Sequence, residues 1–188
     1  MKQKRRVILA SASPRRKMLL KGLGIKFKVK PADIDESIGE RFSLPVLKKL
    51  ALDKAFASAV KVKEGVVIGA DTIVIMEGKV FGKPGTEAAA RKMLRELSGT
   101  VQSVWTSVAV IDTETGRESV KASVSRVKMA KLDEAVIRKM AKKNADKSGA
   151  YAIQEDDPYV KRLSGSETNI VGFPLELVRQ MLKDFKVI

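Results

Sequence analysis

The sequence predicts a mixed α/β (or α+β) domain, and three observations carry that expectation. Short apolar runs of strand character alternate with longer stretches whose apolar residues recur at helical spacing. Serine or threonine caps with proline just inside open several of the helical stretches, and glycine closes them. The chain has 188 residues, 44% of them hydrophobic. A chain of that length buries about 70% of its unfolded surface and needs no disulfide or metal staple. One domain spanning 1–188 is expected, with two small lobes sharing a cleft as the alternative. The order of strands in the sheet is not readable from sequence.

Taken in order, Arg6–Ala10 reads as a buried strand. A helix follows it, with Ser13 as N-cap, Pro14 at the first helical position and Gly24 as its stop. "KFKVK" alternates as a short strand, and "PADIDESIGE" is an acidic loop. Ser43 to about Lys61 is a second helix. "VVIGADTIVIMEGKVFGKP" reads as strand, hairpin and loop, turning at Glu77-Gly78. Thr86 to Ser98 is helical and is ended by Gly99. Val101–Ile111 and Glu118–Met129 are long strands joined by "DTETG". Asp133–Asn144 is an amphipathic helix. "GAYAIQ" and "YVKRLSG" read as short strands around the acidic loop "EDDP". Pro174 opens a last helix whose Leu175, Val178, Met181, Leu182 and Phe185 share a face.

Composition excludes much chemistry. With no cysteine and no histidine, cysteine nucleophiles, serine–histidine triads and the usual zinc sites are ruled out. Carboxylates, lysine, arginine, hydroxyls and a hard cation such as Mg²⁺ or Mn²⁺ remain. No apolar run reaches the ~18 residues of a membrane span. The basic start "MKQKRR" is followed by no uninterrupted apolar segment, so no export signal is expected and the cytoplasm is the expected compartment. A formal charge of +15 has three readings: a lysine-rich surface of the heat-adapted kind, attraction of small polyanions, or nucleic-acid binding. Aromatics make up only 5% of the chain, which leaves few stacking platforms and disfavours nucleic acid.

The candidate sites lie at element ends. In "LASASPRR", small residues Ser11, Ala12 and Ser13 precede a helix start whose free N–H groups favour an anion. Arg15 and Arg16 fall in the first turn, where the helix dipole disfavours a cation by about 0.3–1 kcal/mol. A bound polyanion would offset that; an ordinary cap with exposed arginines is the other reading. Lys54 continues the apolar stripe of Leu47, Leu50 and Ala51, so it either snorkels outward or points into a cleft. Asp71 is expected to end its strand after Gly69 and Ala70, with Lys83 facing the same cleft. The loop holding Asp33, Asp35 and Glu36 is a metal-ligand source or a solvated loop. Gln154 donates and accepts at once, which suits a nucleobase edge. This inventory of cations and carboxylates points to phosphate chemistry.

"LASASPRR", "ADIDES", "GADTIVIMEGKVFGKP", "GAYAIQ" and "GSETNIVGFPLEL" occur in an order that resembles the Maf family of nucleoside triphosphate pyrophosphatases, once described as septum-formation inhibitors. The resemblance runs from Leu9 to about Leu177. It implies a Maf/ITPase-like elongated mixed sheet with flanking helices, two lobes about a deep cleft, and often a homodimer. It also implies hydrolysis of a nucleoside triphosphate to the monophosphate and pyrophosphate with Mg²⁺ or Mn²⁺. By matching motifs, Asp71 resembles the proton acceptor of a catalytic set with Lys83 and Glu36, and Glu36 and Asp71 the metal partners. Ser11, Arg15, Arg16, Lys54 and Lys83 fall where the family holds the triphosphate. Arg15, Thr72 and Gln154 match the subgroup acting on dTTP and UTP. Pool cleaning and division arrest are the roles this implies. Three positions depart from the family pattern: Gln102, Ala152 and Glu155. The rival expectation is a non-catalytic division regulator or nucleic-acid-binding protein.

Overall fold

The computed structural model describes residues 3–36, 39–153 and 158–188. Its strands are β1 (Val7–Leu9), β2 (Phe27–Val29), β3 (Val66–Met76), β4 (Lys79–Phe81), β5 (Val101–Asp112), β6 (Glu118–Met129) and β7 (Val160–Ser164). The helices are α1 (Pro14–Gly22), α2 (Leu44–Ala59), α3 (Glu87–Leu97), α4 (Glu134–Asn144), α5 (Glu167–Ile170) and α6 (Leu175–Asp184). One mixed sheet runs β2-β1-β3-β5-β6-β7, with β4 paired to the far end of β3. Among the described residues no helix is long and apolar enough to cross a membrane.

β1 is parallel to both β2 and β3, whereas β3, β5, β6 and β7 are antiparallel. The chain leaves β1 to one side through α1 and returns to its other side through α2. Strand order therefore reverses at β1, the point in an open α/β sheet where ligands bind beyond the strands' carboxyl ends. Strand alternation sorts the core. Val66, Ile68 and Ala70 pack with α6 and Leu20 of α1, while Val67 packs against Ala51 and Ala55 of α2 on the opposite face. Beyond them Val74 and Val104 join a second core with α3 and α4, containing Leu94, Leu97, Ile137 and Met140.

Three sequence expectations change. β3 does not end at Asp71; it continues to Met76 because β5 pairs with it without interruption from Val66 to Ile75. "GAYAIQ" forms no strand over its described part. Ser148–Ala150 is a 3₁₀ turn in which Gly149 and Ala150 have φ of 73° and 58°, outside the extended region. The four-residue α5 was not anticipated; Ser166 caps it by accepting from Asn169 N.

Candidate functional site

The site forms where β3 lacks a neighbour on one side. β1 pairs with it only as far as Ile68, and β4 begins only at Val74. Between them, among the described residues, Gly69–Ile73 are laddered to β5 alone. Carbonyls on the open side are capped by other groups. Ala10 N donates to Ile68 O at 2.8 Å, Arg16 Nη1 to Ala70 O at 2.8 Å, and Ser148 Oγ to Thr72 O at 2.9 Å. A cavity of about 630 Å³ opens at this gap, bordered by the α1 start, the Glu36 loop, β3 and the 145–153 segment.

Alternation along β3 sends Asp71 to the α2 face and Thr72 to the opposite one. Gly69 sets the distance to α2. A Cβ there would lie 2.5 Å from Ala51 O and 2.6 Å from Ala55 N, so the helix rests directly on the strand backbone. Lys54 thereby reaches Asp71, Nζ to Oδ1 at 2.5 Å, with the two residues only 4% and 7% exposed. Lys54 Nζ also lies 3.0 Å from Glu36 Oε1, and Lys83 Nζ lies 3.1 Å from Glu36 Oε2. The result is an alternating chain of charge, Lys83–Glu36–Lys54–Asp71. Burial alone would raise the Glu36 pKa, but the hydrogen bonds and charges of Lys54 and Lys83 outweigh it and hold the carboxyl below its ordinary range. The alternative of an outward-pointing Lys54 is overturned, because its stem lies in the α2 stripe beneath the cavity.

Arg16 is the most tightly held of the expected binding residues. Besides Ala70 O, its guanidinium donates to Gly172 O at 2.9 Å, Thr72 Oγ1 at 3.2 Å and Ser11 Oγ at 3.4 Å. Burial lowers its pKa, opposed by the charges of Asp71 and Glu36. It therefore joins α1, β3 and the turn before α6 as well as placing positive charge in the wall. Ser11 Oγ also accepts from Ser13 N at 3.3 Å. Arg15 lines the cavity and pairs across it with Asp146 at 3.6 Å. Thr72 Oγ1 lies 3.0 Å from Thr106 Oγ1. Gln154 and Glu155, expected near the base, lie outside the described residues. Of the other departures, Ala152 lines the cavity, and Gln102 is buried away from it, its Nε2 donating to Leu97 O and Thr100 Oγ1.

Sequence reasoning missed the segment Asp146–Ser148. Its partners Arg15 and Thr72 are far away in sequence, and its only local signal is charge before the Gly149 turn.

As for a metal, no three carboxylates converge among the described residues. Glu36 and Asp71 nevertheless stand on either side of one ammonium. Magnesium is commonly held by one or two carboxylates together with substrate phosphates, and this donor set fits that pattern.

A cation-lined crevice at the strand-order reversal, beside a helix start, is the construction of an α/β phosphate-binding protein. The family model described as Maf-like protein matches residues 6–185. The chain belongs to the Maf family. It is 40% identical over 181 residues to the dTTP/UTP pyrophosphatase of Elusimicrobium minutum (strain Pei191), covering 96% of this chain and 98% of that one. It is 41% identical over 183 residues to the dTTP/UTP pyrophosphatase of Pelotomaculum thermopropionicum (strain DSM 13744 / JCM 10971 / SI), covering 95% and 96%. The Staphylococcus aureus Ham1 protein shares the fold, with a TM-score of 0.54 at 13% identity over 96% of this chain and 99% of that one.

Proposed function

We propose that this protein is a nucleoside triphosphate pyrophosphatase that cleaves dTTP and UTP to the monophosphate and pyrophosphate. The observation that carries the reading is the charge chain Lys83–Glu36–Lys54–Asp71 lining a nucleotide-sized cavity. The names of the relatives supply the substrate class. Water attacks the α-phosphorus in line, forming the new P–O bond as the bond to the bridging oxygen breaks, and pyrophosphate leaves with that electron pair. Asp71 orients the water and accepts its proton. Lys54, Lys83, Arg15 and Arg16 neutralise charge on the phosphates, and the α1 start with Ser11 presents donors to them. Glu36 and Asp71 would hold Mg²⁺ or Mn²⁺ with the phosphate oxygens, and the ion would supply further charge neutralisation there. Arg15, Thr72 and Gln154 select the base, as the family likeness suggests. That likeness alone supports a homodimer. A purely regulatory or nucleic-acid-binding role is disfavoured by the intact set of charged groups.

The test is turnover of a nucleotide panel with Mg²⁺ or Mn²⁺ and separation of the products. UMP with pyrophosphate is expected from UTP; UDP with phosphate would overturn the cleavage position.

A further inference from the structure

Arg16 is tied to a hydroxyl that never reaches the cavity. Thr72 and Thr106 are direct partners in the β3–β5 ladder, so their side chains leave the sheet on the same face. Thr106 is fully buried, and its Oγ1 lies 3.0 Å from Thr72 Oγ1 and 3.2 Å from Asn169 O. Asn169 O also accepts from Gly172 N at 2.9 Å, and Gly172 O accepts from Arg16 Nε at 2.9 Å. Arg16 Nη2 closes the circuit on Thr72 Oγ1 at 3.2 Å. A ring of hydrogen bonds thus joins one prong of the guanidinium fork to the other, through the turn before α6, α5 and the two strands.

Two arrangements place a hydrogen between the threonines. Thr106 donates to Asn169 O while Thr72 donates to Thr106, or Thr72 donates to Gly172 O at 3.3 Å while Thr106 donates to Thr72. In both, Thr72 Oγ1 accepts from Arg16 and has no hydrogen left to give a nucleotide. Gly172 keeps the ring tight: its φ is 99°, and a Cβ there would lie 3.0 Å from Thr72 Oγ1.

Arginine carries five N–H groups. In Arg16, Nε serves Gly172 O, Nη1 serves Ala70 O and Ser11 Oγ, and Nη2 serves Thr72 Oγ1. Among the described residues that leaves one N–H, on Nη2, for the phosphate oxygen assigned to Arg16 above. The guanidinium is planar, so the bond from its twin hydrogen to Thr72 fixes where that N–H points.

We propose that Thr106 is a positioning residue for the reaction. By holding Thr72 Oγ1 it sets the direction of the remaining Nη2–H of Arg16 toward the triphosphate, without touching the nucleotide itself. The inference rests on the pyrophosphatase reading and on the place of Arg16 in it.

The test measures kcat and KM for UTP, with product separation and melting temperature, in the wild type, Thr106→Val, Thr106→Ser, Arg16→Lys and the Arg16→Lys/Thr106→Val double variant. Thr106→Val keeps the side-chain shape and removes the hydroxyl, so kcat/KM should fall about fivefold. Thr106→Ser keeps the hydroxyl and gives up a buried methyl. It should melt below the wild type yet stay within about twofold of its kcat/KM, a separation that a purely structural role would not produce. Arg16→Lys has no planar fork to direct, so adding Thr106→Val to it should change kcat/KM by less than about twofold. If Arg16→Lys does not fold, the valine and serine variants still decide. A Thr106→Val protein as active as the wild type would overturn the inference. So would a serine variant as slow as the valine one, or the full loss repeated in the Arg16→Lys background. With normal wild-type turnover, each of these results sinks this inference alone. A wild type that releases no UMP and pyrophosphate from UTP would overturn the pyrophosphatase reading and this inference with it.

Discussion

Two ion clusters sit on the same sheet and differ in what surrounds them. In one, Arg5 forks onto Asp112 with two bonds of 2.7 Å and also pairs with Glu114, while Glu114 N donates to Asp112 Oδ1 at 3.1 Å. In the other, two lysines alternate with two carboxylates at 2.5–3.1 Å along the cavity. The first uses the planar fork of arginine, whose geometry matches one carboxylate and leaves little room for exchange. The second uses compact ammonium groups that accept any oxygen at the right distance, including one from phosphate. Saturated, directional pairing marks a structural clasp; point charges beside a cavity mark a site whose partners change.

The largest effect that would test this contrast is on turnover. Asp71→Asn should lower kcat by about 10²–10⁴-fold, while its melting temperature falls less than that of Asp112→Asn. Normal turnover in the Asp71 variant would erase the distinction. Next, Lys83→Met should raise KM for UTP roughly tenfold, the worth of a lost hydrogen bond to a charged group. Its steady-state kinetics should show kcat changing less than KM.

Asp112→Asn should leave kcat untouched and cost about 2 kcal/mol of stability. In a chain of this size that corresponds to about 4–8 °C in Tm, readable by calorimetry. The smallest effect is on pH dependence. The Arg5 guanidinium holds the Asp112 carboxyl well below the usual carboxylate range. A carboxyl depressed in the folded state stabilises fully above its unfolded pKa, about 3.9. That contribution is lost as pH falls from there through the folded value. The Tm gap between wild type and Asp112→Asn should therefore be constant from pH 5 to 7, as a flat part of that curve, and shrink below about pH 4. A gap that widens in acid would refute the clasp.

Local signals made much of this legible in the sequence. The strand–helix alternation, the Ser13 cap and the apolar spacing of α2 and α6 are short-range patterns, and each stands where the sequence places it. Lys54 on an apolar stripe and two arginines in a first helical turn were conflicts with local preference, and both proved to line the cavity. What the sequence could not convey depends on contacts between distant segments. Asp71 looks like a strand end because small residues precede it; only the register with β5 shows the strand continuing. Arg16 reads as a free cation until Ala70 O and Gly172 O are brought to it by the fold. Asp146 and Ser148 carried no motif, since their partners Arg15 and Thr72 lie across the gap.

The one-sided stretch of β3 also bears on how the molecule moves. Among the described residues, β1 and β2 pair only before it, β4 and β7 lie only beyond it, and β3, β5 and β6 alone run through both halves. Closing the cleft over a nucleotide must therefore flex three laddered strands rather than swing about a linker. Such a spring favours small excursions and a prompt return, which suits an enzyme that must release two charged products.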